Sequence, residues 1–435
     1  MWKKRADLSV FILLFFFSGL LLIPQNAKSE SLEELKATIQ EMKANMELLQ
    51  KKVIAMEKAQ QKSETAAKQT SDNGSSLILP KNTEVKIYGY AKLDAIYTDT
   101  DGGGKYAYSP KAVPLDSQQD ALPDNSFFMH ARQTRLGIAT STSTDYGVFK
   151  TKIEGDLFGA GGTETYSNSY GLRLRRAYGQ LGNLLIGQEW STFIDLASYA
   201  ETLDFGGPAG SLFIRQPLIR WTQPTGFGSL QFALENPQST FTSKDASAPT
   251  GSAGEYIPDI IVRANVNTGF GHFCLAAMGR QLIIDDGLYD DDTFGGAASF
   301  TAVIPTFNKD KFRFQFNYGN ALGRYMEAEF ADAFINPVTR KIETNVQFGG
   351  FVAYQHFWTD SVRSTLIYSY AERDNDLNYV TDSVDKSYQS VHANLFWSPV
   401  KRINLGIEYI WAMREVENGE DGDINRLQFG FQYLF

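Results

Sequence analysis

The sequence predicts an all-β protein, a transmembrane antiparallel β-barrel of about sixteen strands preceded by an N-terminal periplasmic coiled-coil helix. Three observations lead to this prediction. Apolar and polar residues alternate with a period of two from residue 85 onward. Aromatic residues make up 13% of the chain, with 31 Phe and 21 Tyr. Short and long connections alternate between the predicted strands, which is typical of barrels that cross an outer membrane.

The first 29 residues have the features of a secretory signal peptide. Three basic residues precede an apolar run over 8–23, and an A-x-S cleavage site follows at 27–29. An uncleaved membrane anchor is the alternative, but Lys28 and the polar residues after it disfavour that interpretation. We therefore expect an exported protein.

Residues 30–62 are predicted to form a coiled coil in the periplasm. Apolar residues recur at alternating spacings of three and four, without Gly or Pro, at Leu32, Leu35, Ile39, Met42, Met46, Leu49, Val53 and Met56. This spacing places them on one seam of a helix and favours self-association. A single amphipathic helix on a surface is the alternative. The polar residues of 63–84 predict a flexible linker, and the barrel is expected to occupy 85–435.

The connections predict the orientation of the barrel. Short ones are expected at 143–146, 182–183, 224–227, 267–270, 305–310, 358–360 and 398–401. Long ones are expected at 99–126, 159–169, 191–212, 235–256, 282–292, 321–341, 372–386 and 415–422. Periplasmic turns are short and extracellular loops are long, so both termini are expected on the periplasmic side of the outer membrane. The last strand ends in Tyr433 and Phe435, an aromatic pattern similar to the C-terminal insertion signal of such barrels.

The long segment 191–212 is the candidate for a functional loop. It is too apolar for an exposed loop and too rich in Gly and Pro for a helix, so we expect it to fold inward and narrow the lumen. In the strand before it, the alternation places Leu172, Leu174 and Tyr178 on one face and Arg173 and Arg175 on the other. Arg176 falls on the apparent lipid face, where only a bulge or a contact between protomers would explain it.

The lumen face of the other strands is predicted to be basic. It receives Arg135, Lys150, Lys152, Arg173, Arg175, Arg220, Arg263, Arg280, Arg313 and Arg363, together with Glu154, Asp156, Glu189 and Glu408. Guanidinium groups at a narrow waist attract carboxylates or phosphates and repel cations, which predicts a preference for anions. The alternative is that these arginines only solvate the wall of an aqueous pore.

The sequence contains no enzymatic motif that we can recognise. The four histidines lie in different segments, and no HExxH, GxSxG, CxxC or phosphate-binding loop is present, so we expect neither an enzyme nor a cofactor. The net charge of −9 argues against a nucleic-acid partner. Two acidic loop clusters, within 285–292 and 420–423, fit solvated loop charge better than a calcium site because their spacing differs from an EF-hand.

Three stretches resemble the DcaP-like family of outer-membrane porins. They are YGYAKLDAIYT at 88–98, RLGIATSTSTDYGVFKTKIEGDLFG at 135–159 and LRLRRAYGQLGNLLIGQEWSTFIDL at 172–196. The resemblance implies a homotrimer with a periplasmic coiled coil that takes up dicarboxylates or other small anions. Carried over to this chain, it implies that Arg135, Arg173 and Arg175 line the pore.

We therefore predict an outer-membrane porin for passive diffusion of small anionic solutes. Its expected partners are two further copies of the chain, outer-membrane lipid and the solutes, with the cell wall as a further partner of the coiled coil. A general non-selective porin and a structural or adhesive barrel are the alternatives, and an outer-membrane hydrolase is a third.

Overall fold

The computed structural model describes residues 82–327 and 329–435, together with the single positions 40 and 51. The predicted signal peptide, coiled coil and most of the linker lie outside the described residues, so those assignments stay predictions. Contacts between residues divide the chain into Met1–Leu79 and Pro80–Phe435, and only the second unit is described below.

The described part of the second unit consists mainly of strands. They are β1 (Thr83–Thr100), β2 (Asp124–His130), β3 (Arg135–Thr144), β4 (Gly147–Thr163), β5 (Ser169–Leu181), β6 (Leu184–Trp190), β7 (Arg215–Thr225), β8 (Gly228–Glu235), β9 (Phe241–Thr242), β10 (Asp259–Thr268), β11 (Gly271–Asp285), β12 (Asp290–Pro305), β13 (Lys311–Gly319), β14 (Ala333–Ile335), β15 (Ile342–Thr344), β16 (Gln347–Phe357), β17 (Val362–Arg373), β18 (Asp385–Val400), β19 (Ile403–Val416) and β20 (Asp421–Leu434). Single helical turns occur at Pro110–Ala112, Asp116–Gln119 and Gly323–Tyr325. No helix among the described residues is long and apolar enough to cross a membrane.

The long strands close into a barrel. Seventeen hydrogen-bonded segments form the wall, and β2 and β3 count as one strand because they pair with successive parts of β1. The first strand also pairs antiparallel with the last, from Tyr90 opposite Leu434 to Thr98 opposite Arg426. The wall is therefore a closed barrel of sixteen antiparallel strands, which confirms the predicted barrel.

Along each strand, the side chains alternate between an apolar outer face that suits lipid and a polar inner face. In β17, Leu366 and Tyr368 are exposed on the outside, whereas Thr365 and Ser369 are buried inside. The turns at one end are short and display exposed aromatic rings, namely Tyr146, Phe227, Phe270, Phe307 and Trp358. Such rings lie at the membrane interface of outer-membrane barrels, where short turns face the periplasm and long loops face outward.

The interior of the barrel is partly filled by its own long loops. The buried core inside the wall contains Phe193 and Leu212 from the segment after β6, and Tyr325 and Met326 from the segment after β13. At the extracellular end, β9, β14 and β15 form a separate three-stranded sheet. The apolar side chains of these loops thus pack against each other within the lumen and give the barrel a core of its own.

A bulge between β4 and β5 corrects one sequence prediction. Arg176 lies opposite Glu154 and Arg173 lies opposite Asp156, so Arg175 is an extra residue in β5. This insertion turns Arg176 inward, where its guanidinium binds Glu189. It also places Tyr178 opposite the inward-facing Lys152, so the assignment of Tyr178 to the lipid face is wrong. A prediction that assumes strict alternation cannot detect an inserted residue.

The assignment of the outer face predicts where a charged substitution destabilises the barrel. We expect Leu366→Lys, near the middle of the outer face of β17, to lower the free energy of unfolding in lipid by about 2–4 kcal/mol, because the ammonium group would enter hydrocarbon. The same change at Leu377 in the extracellular loop, an exposed apolar residue of matched chemistry, should change it by less than about 0.5 kcal/mol. Urea unfolding in lipid vesicles measures both. Equal losses would contradict the assigned membrane face.

Candidate functional site

The segment that connects β6 and β7, residues 191–214, lies inside the barrel. It begins with the Thr192 amide donating to Glu235. The carboxylate of Asp195 then binds Arg263 at 2.9 Å and accepts the Thr301 hydroxyl at 2.7 Å. His272 is its third partner, at 3.1 Å. The start of this inward loop is therefore fixed to β8, β10, β11 and β12, which confirms the predicted inward fold.

The middle of the inward loop crosses to the opposite wall. Glu201 accepts two hydrogen bonds from Arg363, at 2.6 and 2.7 Å. The Leu203 amide donates to Glu408 at 2.7 Å, and the Leu203 carbonyl accepts from Lys92 at 2.6 Å. Buried carboxylates and amines of the wall are thus satisfied by loop backbone, as buried polar groups require. These wall residues position the loop.

The end of the inward loop returns along β13, β16 and β17. Gly210 has a φ of +72°, and a Cβ there would lie 2.6 Å from the Tyr370 carbonyl oxygen and 2.9 Å from the Gly349 Cα. Its amide donates to both oxygens of Glu329, and its carbonyl accepts from Asn317. Only glycine fits this conformation and this close approach.

Basic residues face the inward loop from the remaining wall. Arg173 binds Asp156 through two hydrogen bonds of 3.0 and 2.8 Å. Arg175 bridges Asp156 at 2.8 Å and Glu154 at 2.9 Å, and Arg135 lies 3.8 Å from Glu154. Two carboxylates are therefore shared by these three guanidiniums, and the Arg176 Nη1 also lies 4.0 Å from Glu154. The Phe205 ring of the loop lies 5.2 Å from the Arg173 guanidinium and 5.6 Å from that of Arg175.

Arg215, the first residue of β7, is a fourth guanidinium that the sequence prediction missed. Its guanidinium lies 4.6 Å from the Trp190 ring and 5.1 Å from the Phe213 ring. Its buried Nη1 has no hydrogen-bond partner, and among the described residues Arg215 forms no ion pair. The sequence could have indicated Arg215, because it lies directly after the inward segment. The sequence prediction favoured arginines in the middle of strands and passed over the residue where the loop rejoins the wall.

Glu327 brings an acidic group to the same region from the segment between β13 and β16. It has a φ of +58°, an uncommon conformation for a residue other than glycine. Desolvation by the surrounding protein raises the pKa of its carboxyl group to about 7. The positive charges of Arg215 and Arg173 act in the opposite direction. Glu327 therefore changes its charge near neutral pH.

The other predicted site residues lie along the inner wall. Lys150 is exposed, and the Lys152 ammonium lies 5.3 Å from the Tyr88 ring. Arg220 and Glu189 border a cavity of about 320 Å³ beside the start of the inward loop, and Arg313 donates to the Ala197 carbonyl there. These residues surround the inward loop and do not converge on a single point.

Arg280 differs from the rest of the predicted set because it is fully buried. It binds Asp259 at 3.1 Å and Asp332 at 2.8 Å. Its guanidinium also donates to the Ala321 carbonyl at 2.8 Å. Arg280 thus holds the segment after β13 against the wall. No group of three or more His, Cys, Asp or Glu among the described residues is arranged to hold a metal ion.

A closed barrel with an apolar outer face, short turns at one end and a loop folded into the lumen defines an outer-membrane channel of the porin type. The chain belongs to the DcaP outer membrane protein family, whose model matches residues 20–435. This match confirms the resemblance seen in the sequence and indicates a channel. A comparison with curated proteins found no match.

Solved structures share the fold at low sequence identity. The outer-membrane channel DcaP of Acinetobacter baumannii is 22% identical, with a TM-score of 0.72 over 82% of this chain and 99% of that chain. An anion-selective porin from Comamonas acidovorans is 14% identical, with a TM-score of 0.56 over 81% and 100% of the two chains. The trimer form of OmpT from Vibrio cholerae is 10% identical, with a TM-score of 0.50 over 82% and 100%.

The close approach of Gly210 predicts how the inward loop can be released. We expect Gly210→Ala to displace the end of the loop, because the added Cβ meets the backbone of β16 and β17, and so to change the mean open-channel conductance and increase its noise. Single-channel recording in a planar bilayer measures both. Gly182→Ala is the matched control, since Gly182 also has a positive φ, +56°, but has open space around it. Identical traces for both variants would show that Gly210 does not hold the loop.

Proposed function

We propose that this porin conducts small anionic solutes such as dicarboxylates by passive diffusion through a constriction lined by arginines. One observation supports this proposal most directly. Arg135, Arg173, Arg175 and Arg215 face the inward loop. Glu154 and Asp156 form ion pairs with the first three, whereas Arg215 forms none among the described residues. A narrow pore with uncompensated guanidiniums favours anions, because charge acts strongly where little water screens it.

The geometry divides these arginines into two roles. Arg175 is buried between Glu154 and Asp156, so it contributes positive potential without touching a solute. Arg173 and Arg215 are partly exposed, and their guanidiniums face the Phe205 and Phe213 rings. Planar guanidiniums bind carboxylates through paired hydrogen bonds, which suits a solute with a carboxylate at each end.

We further infer that the channel is a homotrimer whose N-terminal coiled coil lies in the periplasm. The seam of apolar residues in 30–62 supports self-association of the helices. A trimer form is known for OmpT from Vibrio cholerae, which shares the barrel fold. In this arrangement each of three barrels would contribute one helix near a common axis. A contact between these helices and the cell wall is part of the same proposal.

Replacing Arg215 tests the anion preference with little disturbance of the wall. Because Arg215 forms no ion pair among the described residues, Arg215→Gln breaks no salt bridge. We expect the reversal potential under a salt gradient to shift towards cations and the succinate flux to fall on the order of a few-fold. Lys150→Gln, which removes an exposed lumen charge outside the constriction, should do less. A reversal potential that is unchanged in Arg215→Gln and in an Arg135, Arg173 double variant would overturn the proposal.

Glu327 predicts that selectivity depends on pH. Its pKa of about 7 means that it is mostly ionised at higher pH and mostly neutral at lower pH. Lowering the pH from about 8 to about 6 removes a negative charge opposite Arg215, so the preference for anions should rise. Reversal potentials across this range measure the change. Glu327→Gln should abolish most of this dependence, and a full dependence in that variant would assign it to histidines instead.

A further inference from the structure

The extracellular mouth of the barrel contains a second cavity, separate from the constriction. Its volume is about 360 Å³, within the range of small-molecule sites. Its lining combines basic, acidic and hydroxyl residues from several extracellular segments, including Lys111, Thr242, Glu329, Arg373, Ser383 and Asp385. Because these segments are distant in the sequence, the cavity exists only when the loops are assembled.

Arg373, the last residue of β17, is the unusual member of this lining. It is 3% exposed, and its guanidinium lies 5.6 Å from the Phe330 ring and 5.0 Å from the Phe334 ring. Its Nε is buried without a hydrogen-bond partner. Among the described residues its guanidinium forms no hydrogen bond and no ion pair. A buried cation without a counterion is costly, and native proteins seldom retain one without a use.

The nearby acidic groups do not neutralise Arg373. Asp385 is bound to Arg414 at 2.6 Å, and Glu417 accepts a hydrogen bond from Asn375 at 2.8 Å. Burial raises the pKa of Glu329 well above its ordinary value, and its carboxyl group already accepts the Gly210 amide. No carboxylate of the described residues therefore forms an ion pair with Arg373.

We propose that this cavity is an extracellular subsite for a small oxyanion, with Arg373 donating to a carboxylate or phosphate group. Lys111, from the segment between β1 and β2, adds positive charge. The hydroxyl groups of Thr242 and Ser383 offer further hydrogen bonds. The Phe330 and Phe334 rings hold the guanidinium in place and exclude water, which strengthens a charge-assisted hydrogen bond.

The subsite would concentrate anions ahead of the constriction. The charge of Lys111 also acts on Glu327 at the constriction, so the two regions are electrostatically connected. This transport role rests on the proposed anion channel, whereas binding itself does not. An anion held at the mouth and released towards Arg215 would meet positive charge at both positions.

Arg373→Gln in the full-length protein tests the subsite. Inorganic phosphate and succinate are the probes, titrated by calorimetry into detergent-solubilised protein, with chloride at equal ionic strength as the reference. We expect Arg373→Gln to weaken binding of at least one probe by about tenfold or more. Lys111→Gln should also weaken it. Arg340→Gln, the same change at an exposed extracellular arginine that does not line the cavity, should bind as the wild type does.

Thermal unfolding separates a ligand role from a structural one. Without either probe, Arg373→Gln should be at least as stable as the wild type, because an unpaired buried charge has been removed. Either probe that binds should raise the melting temperature of the wild type and not that of the variant. A variant that is less stable without probe would show that Arg373 is structural and overturn the proposal. Equal binding by wild type and variant would overturn it too, as would a wild type that neither probe stabilises.

The reversal potential keeps this inference distinct from the proposed function. It is dominated by the narrowest part of the pore, so Arg373→Gln should shift it towards cations by less than Arg215→Gln does. If the wild type shows no anion preference but its phosphate binding still depends on Arg373, the selective channel is refuted and the subsite stands. Anion preference without such binding would refute only the subsite.

Discussion

The pairing of β1 with β20 is the constraint on which the rest of the molecule depends. A strand in hydrocarbon finds no water for its amide and carbonyl groups, so every wall strand must have two neighbours. Closure provides them and removes both free edges. It also creates an enclosed interior, in which the segments after β6 and β13 pack as a core. Both the inward loop and the cavity at the mouth exist because the sheet has no ends.

Inside this enclosure, arginine occurs both with and without a counterion among the described residues. Arg280 is buried between Asp259 and Asp332 and holds a loop. Arg215 and Arg373 have no such partner among the described residues. The distinction lies in the available counterions, because a guanidinium that is already paired offers little to a solute. Position on the inner face alone therefore does not identify the residues that contact a solute.

The sequence was sufficient for the fold and insufficient for the site. Alternation, turn lengths and the apolar segment 191–212 predicted the barrel and its inward loop, because each depends on local pattern. Arg176 and Tyr178 were misplaced since one inserted residue reverses the faces of a strand. Arg215 was indicated only by its place directly after the inward segment. Glu327 and Arg373 could not be found, because what distinguishes them is the absence or nearness of charges from distant segments. Periodicity has no access to such pairings.

The attachment of the inward loop has a consequence for evolution. Leu203 lies between β6 and β7 but is bound by Glu408 of β19 and Lys92 of β1. The loop is thus specified by residues spread over almost the whole chain. A transplanted segment would arrive without its anchors, so pore size in this architecture cannot be exchanged as a cassette. New selectivities are expected to arise by substitutions within a conserved framework of anchors, more readily than by swapping the loop.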